Sequence, residues 1–292
     1  MRFTIAHTTQ YHFTQPVELH PHRAMLRPRD GHHLRNVSAT LALSPSAPVI
    51  WSFDVFGNSI CTIAFEGMAS DISITSTLEL ERFPAPPELL VTDGRPAPYP
   101  VLYSPEDRRD LASLMLLDDE RAITELEAWI DAKGLRQADD ALVLARNLMA
   151  AVHFGFTYEA RYDAGTLRPS EMLERGGGTC RDYAFFMMEA ARILGFAARF
   201  ATGYLYSPAL DSGGIAHEGA AATHAWAELF IPSMGWVDFD PTNNLTGTAE
   251  LIKVASVRKP SQAIPISGSY TGPTGVGGPP DVTVAVTRQH SF

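Results

Sequence analysis

In the first third of the chain apolar side chains recur at every second position. Val37, Ala39, Leu41 and Leu43 make one such series and Ile72, Ile74, Leu78 and Leu80 another, the period of a half-buried strand. Gly57-Asn58, between residues 49–56 and 59–65, reads as a hairpin turn. Residues 1–83 are therefore expected to form a small antiparallel β-sandwich. Six prolines follow between 84 and 100, a stiff and extended composition that sets the linker at 84–103.

Beyond the linker the period becomes that of helices. Ser104-Pro105-Glu106-Asp107 offers a capping hydroxyl, a proline at the first helical position and acids against the dipole. A second helix carries Ile123, Leu126 and Ile130 and stops near Gly134, and a third carries Leu142, Ala145, Leu148, Met149 and Val152. A short helix over 170–175 leads into Gly176-Gly177-Gly178-Thr179-Cys180, and a longer one runs to about Leu194. Strand patterns follow at 196–206, 223–231 and 236–240. Helices first and strands later predict an α+β domain over 104–292 rather than an alternating parallel fold. The glycine- and proline-rich stretch 267–280 reads as a loop, after which 282–286 returns as a last strand; no internal repeat is visible.

Composition narrows the possible functions. The 292 residues carry a net charge of −10, which disfavours nucleic acid or an anionic membrane as partner. With 45% hydrophobic and 19% charged residues the chain is globular rather than disordered. Its longest apolar run, 183–188, is far short of the roughly 20 residues a membrane-spanning helix needs. The N-terminus lacks a basic region leading into an apolar one, so a cytoplasmic location is expected. The two cysteines, Cys61 and Cys180, are too few for a disulfide framework and have no zinc-site spacing.

Cys61 shares a strand face with Ile63 and Phe65 and fits a small buried hydrophobe. Cys180 differs. It starts a helix that is apolar at 11 of 15 positions over 180–194, directly after three glycines that would let a substrate backbone come close. Unpaired N–H groups and the helix dipole favour thiolate there, and the same N–H groups suit an oxyanion. A thiolate nucleophile needs a base and the base needs an orienting acceptor. In Thr223-His224-Ala225-Trp226-Ala227-Glu228, alternation puts His224, Trp226 and Glu228 on one face; a tight turn over 232–235 would bring His224 beside Asp238 or Asp240 on the next strand. The spacing leaves the choice between these aspartates open.

Gly-Gly-Gly-Thr-Cys180-Arg-Asp-Tyr-Ala, Leu194-Gly-Phe-Ala-Ala-Arg199, Thr-His224-Ala-Trp-Ala-Glu and Gly-Trp236-Val-Asp-Phe-Asp240-Pro-Thr-Asn-Asn together resemble the bacterial transglutaminase-like superfamily, whose members are often described as cysteine proteases. The motif-bearing stretch is 154–247. Ala24-Met-Leu-Arg27-Pro-Arg29 and Asp54-Val-Phe-Gly57-Asn58 are similar to the N-terminal β domain such proteins carry. The resemblance implies a papain-like, transglutaminase-like α+β core with Cys180 as nucleophile, His224 as general base and acid, and Asp240, favoured over Asp238 by its Asp-Pro-Thr match, orienting the imidazole. Arg181 stands where many relatives have Gln, which bears on substrate preference.

The implied reaction is thiol-dependent hydrolysis of an amide or peptide bond, with a peptide or protein carrying Gln or another amide as substrate. Transglutaminase or deamidase activity is the alternative, and a non-catalytic scaffold of the same fold a further one. Gly178, Thr179, Trp226 and Tyr158 are the candidate substrate contacts, and Trp236 is weighed with them. Asp182 is expected to complement the helix dipole, and the loop 207–222 to act as a flap or a plain connection. The clustered histidines of the first 33 residues include no ligand set, and no acidic calcium loop occurs, so no metal or other cofactor is expected.

Overall fold

The computed structural model describes residues 1–83, 97–161, 165–209, 215–220, 222–232 and 234–289. Most of the proline-rich linker, 84–96, lies outside the described residues. Six strands open the chain: β1 (Arg2–Leu19), β2 (His22–Ala24), β3 (Leu34–Ser44), β4 (Val49–Phe53), β5 (Ser59–Ile63) and β6 (Met68–Arg82). One sheet contains β1, β6 and β3, the other β2, β5 and β4. They close on Val17, Leu19, Cys61, Ile63, Ile72 and Ile74, the inward members of alternating strands. The alternation expected of β3 fails at Val37, which is exposed because the register against β6 shifts between Asn36 and Ser38, a bulge. The β4–β5 turn is built by Asp54, whose carboxylate accepts the N–H groups of Phe56 and Asn58.

The helical region comprises α1 (Pro105–Asp110), α2 (Ala112–Met115), α3 (Ile123–Ala132), α4 (Ala141–Gly155), the short strand β7 (Thr157–Tyr158), α5 (Pro169–Arg175), the short strand β8 (Gly177–Gly178) and α6 (Cys180–Ile193). Ser104 Oγ caps α1 by accepting the N–H of Asp107, and Asp140 does the same for α4 through Val143. Every residue of α6 from Asp182 to Arg192 is buried. Three of these are charged, Asp182, Glu189 and Arg192, and burial is tolerable because each is paired. Arg192 donates to Glu189, Asp118 and the carbonyls of Leu114 and Ala198, while Glu189 accepts the N–H groups of Asp118 and Asp119.

An antiparallel sheet follows, β9 (Ala198–Leu205), β10 (Thr223–Ile231), β11 (Gly235–Asp240), β12 (Leu245–Thr246) and β13 (Leu251–Val257), in the order β12-β11-β10-β9-β13. Ala225, Ala227, Leu229, Ile231, Val237 and Phe239 pack with α6 in the main core. This is the expected α+β order, helices first and sheet second.

The division into domains needs a correction. The last strands, β14 (Ile266–Ser267), β15 (Tyr270–Thr271) and β16 (Asp281–Gln289), do not stay with the second domain. β14 pairs with β2, and β15 and β16 pair with β1. Residues 266–289 thus complete the N-terminal sheets, and part of the expected loop 267–280 is strand. Alternation in 282–286 specifies a strand but not which sheet receives it; Val284 and Val286 join Phe3, Ile5, Leu78 and Leu80 in a core that also contains Tyr204, Tyr206, Ile252 and Val254. That shared core joins the two halves, reinforced by Asn58, whose side-chain amide exchanges both hydrogen bonds with the backbone of Ser256.

Candidate active site

The approach to Cys180 is shaped by the glycines before it. Gly176 ends α5 with φ +73°, a conformation few other residues adopt. Gly177 and Gly178 pair in parallel with Thr157 and Tyr158. A Cβ on Gly177 would lie 2.4 Å from the Thr157 carbonyl oxygen, and one on Gly178 would lie 2.8 Å from the Asp182 Cβ. The expectation that these glycines admit a substrate backbone is therefore corrected: they admit the protein's own Thr157 and Asp182.

Asp182 does more than complement a dipole. Completely buried, it accepts the N–H and hydroxyl of Thr179 at 2.8 Å each, the N–H of Leu167 at 2.7 Å and the Arg161 guanidinium at 3.0 Å. These contacts fasten the first turn of α6 to the segment before α5. Cys180, the first residue of that turn, is only half-buried.

The β10–β11 hairpin supplies the other groups. Its ladder runs from Ile231–Gly235 to Ala227–Phe239, and His224 and Asp240 lie just past its open end. His224 Nε2 donates to Asp240 Oδ2 at 2.8 Å, with both side chains out of solvent. The remaining capacity of Asp240 is filled by the N–H of Thr242 at 3.0 Å and the Asn243 amide at 2.9 Å. Burial alone would push the pKa of His224 down; the Asp240 charge and hydrogen bond, helped by Cys180, outweigh it and raise the pKa to about 10. Burial would likewise raise that of Asp240, but His224, Asn243 and Thr242 hold it below the usual carboxylate range. His224 Nδ1 is buried, and Cys180 lies near enough to this imidazole to help raise its pKa.

Of the two aspartates on β11, Asp238 is engaged elsewhere. It accepts from Trp226 Nε1 at 2.8 Å and Lys253 Nζ at 3.1 Å. Lys253 also binds Glu228, which is fully buried and accepts from Arg199 and Ser256 as well. Burial would raise the pKa of Glu228, yet Arg199 and Lys253 hold it well below the ordinary range. The row Arg199, Glu228, Lys253 and Asp238 is a structural ion network. Trp226 lies between it and the imidazole, its ring 6.1 Å from that of His224.

The candidate substrate contacts fare unevenly. Trp226 has no exposed surface and Gly178 and Thr179 are buried, so none of the three lines a groove; each instead supports a neighbour, because the packing that positions Cys180 and His224 consumes it. Tyr158 is half-buried beside Gly178. Trp236 lies under the Arg199 guanidinium, 4.0 Å from its ring centre. Within the loop 207–222, residues 215–220 are tied down: the N–H of His217 donates to Ser207 Oγ, and Glu218 pairs with Asn243. Asn243 and Gly219 carry no motif of their own, although the three-residue step from Asp240 to Asn243 is a signal for a local side-chain turn.

Among the described residues no group of three or more His, Cys, Asp or Glu side chains is placed to hold a metal ion, and no helix is long and apolar enough to cross a membrane. Of the N-terminal histidines, His7 lies against Tyr204, His12 against Asp71 and His20 against Thr271, while the rings of His32 and His33 meet at 5.1 Å.

Residues 3–81 match the bacterial transglutaminase-like N-terminal region, and residues 131–241 match the transglutaminase-like superfamily core. An uncharacterized protein of Mycobacterium tuberculosis is 26% identical over 276 residues, covering 91% of this chain and 87% of its own length. Another from Mycobacterium leprae is 23% identical, covering 98% and 99%. Among solved structures, a protein from Cytophaga hutchinsonii, provisionally described as a cysteine protease, superposes with a TM-score of 0.72 at 16% identity, covering 100% of this chain and 92% of its own. At that identity the likeness speaks for the fold.

Proposed function

We propose that this chain, which belongs to the transglutaminase-like superfamily, is a thiol enzyme that cleaves an amide or peptide bond through an acyl-enzyme on Cys180. The observation that carries this reading is the nearness of a partly buried cysteine at a helix start to an imidazole whose far nitrogen is bonded to a buried carboxylate. His224 holds its proton to about pH 10, so the imidazole reaches the reaction as a cation, the partner that a thiolate nucleophile on Cys180 requires. The thiolate attacks the carbonyl carbon, and the positive end of the α6 dipole stabilises the oxyanion. On collapse, the C–N bond breaks and His224 Nδ1 gives its proton to the departing amine. Water then enters, His224 takes one proton from it, the thioester C–S bond breaks, and acid is released with the thiolate–imidazolium pair restored. Asp240 keeps its charge throughout and holds Nε2–H in line.

Hydrolysis is preferred to amine transfer on analogy with relatives described as proteases. Product analysis with a Gln-containing peptide, with and without a primary amine, tests this. Release of a cleaved or deamidated product that needs Cys180 is expected; exclusive incorporation of the amine would make the protein a transglutaminase.

A further inference from the structure

We infer that Asn243 is a positioning residue, whose carboxamide ties the backbone of the 215–220 loop to Asp240 and thereby presses Gly219 against the imidazole of His224. This rests on the thiol-enzyme reading above and adds a component to it. Asn243 Oδ1 accepts the N–H of Glu218 at 2.9 Å, while Nδ2 donates to the Glu218 carbonyl at 3.1 Å and to Asp240 Oδ2 at 2.9 Å. Only this orientation of the amide satisfies all three contacts.

The residue next to that anchor is Gly219, at φ +82°. A Cβ there would lie 2.6 Å from His224 Nδ1 and 3.4 Å from Cε1, so the loop passes close to the nitrogen that must exchange a proton with sulfur. Glycine fits for two independent reasons, the backbone angle and the absent side chain. The imidazole is thus enclosed by Asp240 at Nε2, Trp226 alongside, and Gly219 near Nδ1. One side chain, Asn243, sets both the carboxylate and the glycine. If its amide were lost, the carboxylate would lose a donor and the loop its anchor together.

Other titratable groups near this assembly are accounted for. His224 comes from β10 and Cys180 from α6, Asp238 on β11 is held by Lys253 of β13, and His153 of α4 faces the carbonyls of Pro241 and Thr242. Glu218 is tied in through its backbone.

The test is the pH dependence of iodoacetamide alkylation at Cys180, read by peptide mass spectrometry in wild type, His224→Ala, Asn243→Asp, Asn243→Ala and Gly219→Ala. Asn243→Asp keeps the acceptor for Glu218 but sets a second carboxylate against Asp240. The added negative charge disfavours thiolate, so the acid limb should move up by about one pH unit. Asn243→Ala should move it the same way by less, and Gly219→Ala should lower the plateau rate about tenfold by crowding Nδ1. If Asn243→Asp fails to fold, the other two variants decide. Profiles of the Asn243 and Gly219 variants that coincide with a His224-dependent wild type would overturn this inference alone. A wild-type profile identical to that of His224→Ala would overturn the thiol-enzyme reading and this inference with it.

Discussion

Cys61 and Cys180 are the same side chain in two surroundings. Cys61 lies on β5 among Ile63, Ile72 and Ile74, almost without exposed surface, and burial pushes its thiol pKa up. Cys180 opens α6, keeps contact with solvent, and lies beside an imidazole that stays protonated to about pH 10. A thiol becomes a candidate nucleophile through access and a paired cation, both supplied here by elements distant in sequence. What separates the two is the labour spent on the second: Asp182, Arg161 and Thr179 fix the helix start, and Asp240, Asn243 and Trp226 fix the imidazole.

The contrast can be broken most severely at the sulfurs. Cys180→Ala should lower turnover by about 10³-fold or more while changing the melting temperature little, because Cys180 is only partly buried at the edge of the main core. Asp240→Asn retains size but removes the charge, and a loss of about 10²–10⁴-fold in kcat is expected from steady-state kinetics. Asp182→Ala acts one layer further out. It leaves Arg161 without its buried partner and frees the first turn of α6, so chemical denaturation should report a loss of about 3 kcal/mol or more. Cys61→Ala should leave turnover untouched and cost about 1–2 kcal/mol of stability.

The pH dependence of stability sharpens the same comparison. The folded-state pKa of His224 lies above its unfolded value of 6.5, so its contribution is fully present below about pH 6.5 and is lost as pH rises toward 10. The folded pKa of Asp240 lies below its unfolded value of 3.8; its contribution is present above that value and is lost as pH falls. The melting-temperature gap between wild type and His224→Gln should therefore be widest near pH 5–6.5 and shrink on alkaline titration. A gap that grows with pH would contradict the assigned charge states.

Much of this was legible from pattern and motif. The alternation of β6, the Ser104-Pro105 start of α1 and the hairpin around 232–235 follow from local chemistry, and the structure agrees. Local pattern could not say that β16 leaves its neighbours to pair with β1, because pairing is a choice among edges that alternation does not encode. The spacing of β11 could not by itself separate Asp238 from Asp240. Both sit on one face, and the distinction depends on Lys253 and Trp226 engaging the first. Charged residues at 189 and 192 interrupt an apolar helix pattern, and only the carbonyls and carboxylates of α2 and β9 neighbours explain why they are buried. The glycine run suggests an approach for substrate but serves the protein's own close packing; adjacency to a cysteine does not tell which backbone comes near.

The central assignment is tested most directly by competitive alkylation of both cysteines in one sample at pH 6, with Cys180 and Cys61 peptides counted separately in wild type and in His224→Ala. Preferential labelling of Cys180, faster than a free model thiol and lost when His224 is replaced, is the predicted result. Labelling of Cys180 no faster than the model thiol, or unchanged without the imidazole, would contradict it.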